Sequence, residues 1–233
     1  DFIAALKIKP DYYEALCNRG VAYFRKGDYD RAIVDYNAAL KIKPDHYVAL
    51  SNRGNVYHNK GDYDRAFADY NAALKIKPDG YEALLNRGVA YFDKGDYDRA
   101  IPDYSAALKI KPDDYEALLN RGNAYFDKDD YDRAIADYSA ALKIKPDDYE
   151  ALNNRGNAYF NKGDYDRAIA DYNAALKIKP DYYEALSNRG DAYYRKGDYN
   201  RAIADWEAVL RIDPNNADAR KNIELARREM QKR

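Results

Sequence analysis

Apolar positions recur along this chain with helical spacing and in paired blocks. In the first block, Leu16, Gly20 and Tyr23 lie four and three residues apart, which places them on one face of a helix. The second block has a similar stripe, formed by Ala32, Tyr36, Ala39 and Leu40. The small residues allow two helices to cross closely, and the tyrosines fill the space beside the crossing. The pattern therefore predicts two short amphipathic helices that pack against each other.

Residues with known preferences for helix ends bound both blocks. We expect Asp11 to cap the first helix, because Glu14 three residues later completes a capping box. Gly27 suits the end of that helix, and Asp28 suits the start of the next. Pro44 ends the second helix, since proline cannot continue one.

The paired blocks repeat every 34 residues, and seven prolines mark the period: Pro10, Pro44, Pro78, Pro112, Pro146, Pro180 and Pro214. A single hairpin cannot bury its apolar faces, so neighbouring hairpins must stack. The sequence thus predicts an all-α solenoid of stacked antiparallel helix hairpins. Its expected parts are a remnant second helix of a truncated repeat at 1–12, a C-terminal capping helix at 217–233, and six repeats at 13–46, 47–80, 81–114, 115–148, 149–182 and 183–216.

These residues resemble the tetratricopeptide repeat family, whose pattern is Trp-x₂-Leu-Gly-x₂-Tyr, then Ala-x₃-Phe, then Pro. The positions that match are Leu16, Gly20, Tyr23, Ala32, Tyr36, Ala39 and Pro44, and the pattern recurs in all six repeats. Arg19 and its equivalents through Arg189 depart from it by replacing the usual Leu, and we expect each to pair with the equally repeated Asp35-type carboxylate. The resemblance implies a right-handed superhelix whose first helices line a concave, peptide-binding groove. It also implies a non-catalytic scaffold for protein–protein interaction.

Differences among the six copies are concentrated in four sets of equivalent positions on the first helix. Each set is called a column here and is named after its first residue. The columns are spaced four, three and one residues apart, so they form one stripe that avoids the packing face. We predict that this stripe lines the groove; neutral drift at exposed sites is the alternative. Its members are Cys17, Ser51, Leu85, Leu119, Asn153 and Ser187; Val21, Asn55, Val89, Asn123, Asn157 and Asp191; Phe24, His58, Phe92, Phe126, Phe160 and Tyr194; and Arg25, Asn59, Asp93, Asp127, Asn161 and Arg195.

The Phe24 column consists of five aromatic residues and one histidine. Such a ladder could grip a peptide, or it could pack against the neighbouring first helix. We expect a mixed role, in which the ring edges face the groove.

Charge and composition bear on the partner. With 39 basic and 40 acidic residues, the chain has no electrostatic reason to bind nucleic acid or an anionic membrane. We therefore expect a protein or peptide ligand and no cofactor.

One cysteine, Cys17, excludes an internal disulfide and leaves the compartment open, with the cytoplasm favoured. His46 and His58 are twelve residues apart, which is not a zinc-site spacing.

The chemistry of the stripe narrows the ligand further. Some members of the family bind the C-terminal carboxylate of a ligand with Lys, Asn and Arg side chains. Here the neighbouring columns carry glutamates, so we do not expect binding of a carboxylate in this way. The middle repeats add acidic residues and favour a neutral or basic extended segment: Asp93, Asp114, Asp127 and Asp148.

Two residues, Pro102 and Asp129, differ from their equivalents in the other repeats. Pro102, inside a second helix, predicts a slight kink or a start shifted towards 3₁₀ geometry. Asp129 stands where other repeats have Gly and predicts a strained or altered turn.

Because Asp1 falls inside a helix pattern, we expect a fragment of a longer array. Such a chain could also self-assemble end to end or act as the regulatory segment of a larger protein.

Overall fold

The computed structural model describes residues 6, 9 and 11–232. Among them it contains thirteen α-helices and no strand, in agreement with the all-α prediction. The predicted remnant helix at 1–12 lies largely outside the described residues. The helices are α1 (Tyr13–Arg25), α2 (Tyr29–Ile42), α3 (Tyr47–Asn59), α4 (Tyr63–Ile76), α5 (Tyr81–Asp93), α6 (Tyr97–Ile110), α7 (Tyr115–Asp127), α8 (Tyr131–Ile144), α9 (Tyr149–Asn161), α10 (Tyr165–Ile178), α11 (Tyr183–Arg195), α12 (Tyr199–Ile212) and α13 (Ala217–Gln231).

The turn inside each hairpin follows from two residues. Gly27 has a φ of +75°, a left-handed conformation that glycine adopts without steric cost. Asp28 then caps α2, and its carboxylate accepts a hydrogen bond from the Arg31 amide at 3.2 Å. This confirms the predicted cap, and the equivalent aspartates cap the second helices of the other five repeats.

The predicted cap of the first helix is wrong. The N-cap of α1 is Tyr12, whose side chain forms no capping hydrogen bond, and not Asp11. The reason is a turn just before the helix, closed by a bond from the Tyr12 amide to the Lys9 carbonyl at 3.1 Å. This turn delays the helix by one residue beyond the Pro-Asp pair.

By their internal contacts the residues form two compact halves, Asp1–Pro112 and Asp113–Arg233. In the N-terminal half, each helix packs on its neighbours in the chain. Tyr36 and Tyr70 are fully buried, and each lies against a first-helix glycine of its own repeat. A Cβ on Gly54 would lie 2.8 Å from a ring carbon of Tyr70. The small residue is therefore what admits the ring, as the sequence pattern indicates.

The C-terminal half is built in the same way from α7 to α13. Tyr138 and Tyr172 are buried like their equivalents, and Trp206 takes this position in the last repeat. The segment predicted to close the array forms α13, which packs on α12. Ile223 and Ala226 of α13 are buried, and most of its remaining surface is polar, with Leu225 and Met230 exposed.

The arginine that departs from the family pattern pairs with the repeated aspartate, as expected. Arg19 donates to Asp35 from Nε at 2.8 Å and from Nη2 at 2.6 Å. The same two-bonded pair occurs in the other five repeats. Because Asp35 is almost fully buried, it needs such a partner.

The two irregular residues have small and local effects. Pro102 does not interrupt α6, although the first turn gains a 3₁₀-type bond from the Arg99 amide to the Asp96 carbonyl at 3.2 Å. Asp129 keeps the turn of the other repeats and adopts a φ of +58°. Since that region is unfavourable for a residue with a Cβ, the predicted strain is present without a change of turn.

Candidate functional site

The four variable columns differ in how far solvent reaches them. The Cys17 column is the most enclosed, since Cys17, Ser51, Leu85 and Asn153 are buried and Leu119 and Ser187 are half-buried. Burial, with a smaller contribution from Glu14, raises the pKa of the Cys17 thiol to about 11. A thiol in that state is a poor nucleophile. This column contributes to the core more than to an open surface.

The Val21 column is half-buried and is coupled to the buried tyrosines. Three of its members, Asn55, Asn123 and Asn157, accept a hydrogen bond at 2.7 Å from the hydroxyl of Tyr70, Tyr138 and Tyr172 respectively. Each asparagine thus satisfies a phenol that burial has removed from water. Variation in this column therefore reflects packing as well as any ligand.

The Phe24 column is also half-buried throughout. Each member contacts the tyrosine five residues later, at the start of the second helix, as Phe160 does with Tyr165 at a centroid distance of 5.3 Å. One role expected from the sequence was packing against the neighbouring first helix. These ring contacts instead lie within each hairpin. Each ring is therefore fixed by a contact within its own hairpin and remains partly accessible to solvent.

The Arg25 column is exposed in all six repeats and is the most accessible part of the stripe. Two members contact other variable positions of the N-terminal half. Asp93 accepts a 2.8 Å contact from His58 of the preceding repeat, and Asn59 donates to the Asn55 carbonyl at 2.8 Å.

Two adjoining cavities open on the stripe in the C-terminal half. The first, of about 260 Å³, is lined by Phe126, Asn157, Phe160, Asn161, Tyr172, Asn188 and Asp191. The second, of about 310 Å³, is lined by Phe160, Asp191, Tyr194, Arg195, Trp206, Asn222 and Leu225. Three predicted columns thus come together here, and Phe160 and Asp191 belong to both cavities.

Two of the acidic residues expected to bias the partner have another role. Asp114 and Asp148 are N-caps and accept hydrogen bonds from the Ala117 and Ala151 amides at 2.8 and 2.9 Å. Their negative charges are stabilised by the helix N-termini, so these carboxylates are held by their own helices. The carboxylate that lines both stripe cavities is Asp191, which the sequence analysis placed in the stripe without singling it out.

The N-cap column was missed by the sequence interpretation. Its members are Tyr12, His46, Gly80, Asp114, Asp148 and Tyr182. Some of them contact a tyrosine of the preceding repeat, as His46 does with Tyr13 at a centroid distance of 5.2 Å and Tyr182 does with Tyr149 at 5.0 Å. His46 Nδ1 accepts a hydrogen bond from the Ala49 amide at 3.0 Å. Burial, assisted by Lys43, lowers the pKa of His46. The available signal was a variable residue placed just before each constant first helix.

The described residues hold neither a metal-binding cluster nor a membrane-spanning helix. They contain no group of three or more His, Cys, Asp or Glu side chains that could hold a metal ion. Within the same part of the chain, every helix is too short or too polar to cross a membrane.

Comparison with known proteins identifies the family. The tetratricopeptide repeat model matches residues 13–46, 35–81, 51–115, 85–149, 119–183 and 153–217. The chain therefore belongs to the tetratricopeptide repeat family, whose fold generally serves as a scaffold for protein interaction. No match was found among curated proteins.

Solved structures with this fold are similar over most of the chain. The C-terminal part of a repeat protein from Cytophaga hutchinsonii is 20% identical, with a TM-score of 0.79, and the alignment covers 95% of this chain and 92% of that one. MamA is 28% identical, with a TM-score of 0.69 and coverages of 74% and 94%. YrrB, described as having an unusual peptide-binding site, is 23% identical, with a TM-score of 0.70 and coverages of 79% and 95%.

Proposed function

We propose that this chain is a non-catalytic scaffold that binds an extended peptide or protein segment along the variable stripe of its first helices. The observation that carries the proposal is the contrast between constant and variable positions. Leu16, Gly20 and Tyr23 are identical in every repeat, whereas the exposed Arg25 column varies among Arg, Asn and Asp. A varied and accessible position on an otherwise constant helix is what recognition of a particular partner requires.

The two cavities support a location for binding in the C-terminal half. They are concave, lie on the stripe, and combine aromatic rings with amide groups. Aromatic surfaces contribute contact area, and amides can bond to the main chain of an extended segment. Asn161 lines the first cavity, and Asp127 is its equivalent in the preceding repeat. Both are exposed, so both can be changed with little effect on packing.

The test is a selection of random twelve-residue peptides on the full chain, repeated with two double variants. Asp127→Arg with Asn161→Arg adds bulk and charge to the stripe. Lys143→Glu with Lys177→Glu changes exposed second-helix positions instead. We expect the peptides selected by the natural chain to lose binding to the first variant and to keep binding to the second.

The asparagines of the Val21 column are unsuitable for this test. Because Asn123 and Asn157 accept bonds from buried tyrosines, replacing them would disturb the core and the surface together. Equal binding of selected peptides to the natural chain and to the stripe variant would contradict the proposed site.

A further inference from the structure

Asp191 is the only acidic residue of the Val21 column, in which other repeats have Val or Asn. It is half-buried on α11. Burial raises the pKa of its carboxyl, the nearby Trp206 indole N–H and Arg195 act in the opposite direction, and Asp218 adds to the increase. A carboxylate withdrawn from water is costly unless a cation or strong donors compensate for the lost solvation.

The protein compensates Asp191 only partly. Asn222 donates to Asp191 Oδ1 over a long distance of 3.4 Å, and the nearby Trp206 Nε1 is buried without forming a hydrogen bond. Arg195 lines the second cavity together with Asp191, but no ion pair joins the two among the described residues. The buried aspartates of the Asp35 column, in contrast, each receive two short bonds from an arginine. Asp191 therefore retains capacity for a further donor.

The first cavity offers the space for that donor. Phe126 and Phe160 provide aromatic surface, and three asparagines provide amide oxygens. Asp191 is the only charged side chain among the described residues that line it. Aromatic faces attract cations, and a carboxylate pairs with them most strongly where water is partly excluded.

We propose that this cavity is a specificity pocket for a cationic side chain, lysine or arginine, of the bound segment; the inference rests on the proposed function. A carboxylate ligand would be repelled by Asp191. An apolar ligand would bury Asp191 further without compensating its charge. A cation satisfies the carboxylate and the aromatic surface at once.

The chain offers a matched substitution. Asp191→Asn restores the residue that repeats 2, 4 and 5 have in this column, so the fold should tolerate it. Asp181→Asn removes one charge at an exposed site of the same half and serves as the control. Thermal melts of both variants establish that each is folded.

The first experiment uses a positional-scanning library of nonapeptides with acetylated N-termini and amidated C-termini. Binding to the full chain is measured by fluorescence polarisation. We expect one position to prefer Arg or Lys over Gln by about ten-fold, as for a charge-assisted pair in a partly desolvated site. Asp191→Asn should abolish this preference and Asp181→Asn should retain it. Peptide binding without a basic preference, or a preference unaffected by Asp191→Asn, would overturn the pocket while leaving the scaffold proposal intact.

The second experiment does not depend on a complete peptide ligand. N-acetyl-arginine amide and its uncharged citrulline analogue are titrated separately while NMR follows the side-chain amides of Asn157, Asn161 and Asn188. We expect arginine alone to shift them, and only when Asp191 is present. If the library selects no peptide, this shift still supports the pocket. Equal effects of the two probes, or no effect of either, would overturn it.

Discussion

Arg53 donates two parallel hydrogen bonds to Asp69, from Nε at 2.7 Å and from Nη2 at 2.6 Å. These bonds join the first and second helices of one repeat. Its Nη1 also donates at 2.6 Å to Asn37 of the preceding repeat. One side chain therefore stabilises both a hairpin and its stacking on the neighbour. The arginine that replaces the family's usual leucine introduces a polar connection between repeats.

Arg53→Leu should destabilise the protein by about 3–5 kcal/mol, because it leaves the buried Asp69 carboxylate without a partner. Adding Asp69→Leu should recover most of that loss, since the uncompensated charge is then removed. Urea denaturation gives the free energies of unfolding. Lys60→Ala, which removes a surface pair with Asp30, should cost less than about 1 kcal/mol. A double variant no more stable than Arg53→Leu alone would argue against this explanation.

Gly54→Ala should lower the free energy of unfolding by about 1–3 kcal/mol through overpacking. The added Cβ would lie 2.8 and 2.9 Å from two ring carbons of Tyr70. If this contact is the cause, Gly54→Ala should cost less in a Tyr70→Leu background, where the ring is absent. Denaturation of the four proteins in this cycle measures the coupling. An unchanged cost in both backgrounds would show that the ring is not responsible.

Asp129→Gly should stabilise the fourth repeat by about 1 kcal/mol, because the residue already has the left-handed conformation. The matched control is Gly163→Asp, which imposes the same strain on the fifth repeat and should destabilise it. Tyr131 donates to Asp129 Oδ1 at 2.5 Å, and the loss of this exposed bond should offset little of the gain. Thermal melts of both variants measure the change in melting temperature, which should rise for Asp129→Gly and fall for Gly163→Asp. A change in the same direction for both would contradict the explanation.

His46 should make stability fall on mild acidification. Its pKa is lowered in the folded chain, mainly by burial and then by Lys43, so folding favours the neutral ring. The stabilisation is fully present above the unfolded pKa of about 6.5 and is lost as pH falls through the lowered folded value. Protonation also removes the acceptor that caps α3 through the Ala49 amide.

His46→Asn should keep a cap, as Asn216 does at α13, and should remove this part of the pH dependence. The measurement is the melting temperature of each protein at pH 7.5 and pH 5.5. The melting temperature of the natural chain should fall more between pH 7.5 and pH 5.5 than that of the variant. Equal losses would show that His46 does not titrate with folding.

The repeat made most of the fold predictable. Helix positions, the Asp28 cap and the Arg19–Asp35 pair follow from residues that recur at fixed spacing. The N-cap of α1 could not be predicted in this way, because a turn before the helix moves its start by one residue. The burial of Cys17 and the bond from Tyr172 to Asn157 depend on how a first helix meets its neighbours. Spacing along one helix does not contain that information, so the stripe was predicted as more open than it is.

The most direct test of the scaffold proposal is photo-crosslinking of a selected peptide to the full chain, followed by mass spectrometry. A photoreactive group is placed at each peptide position in turn. The proposal predicts cross-links to exposed first-helix residues of the stripe, including Asp127 and Asn161. Cross-links concentrated on exposed second-helix residues such as Lys143 and Lys177 would contradict it.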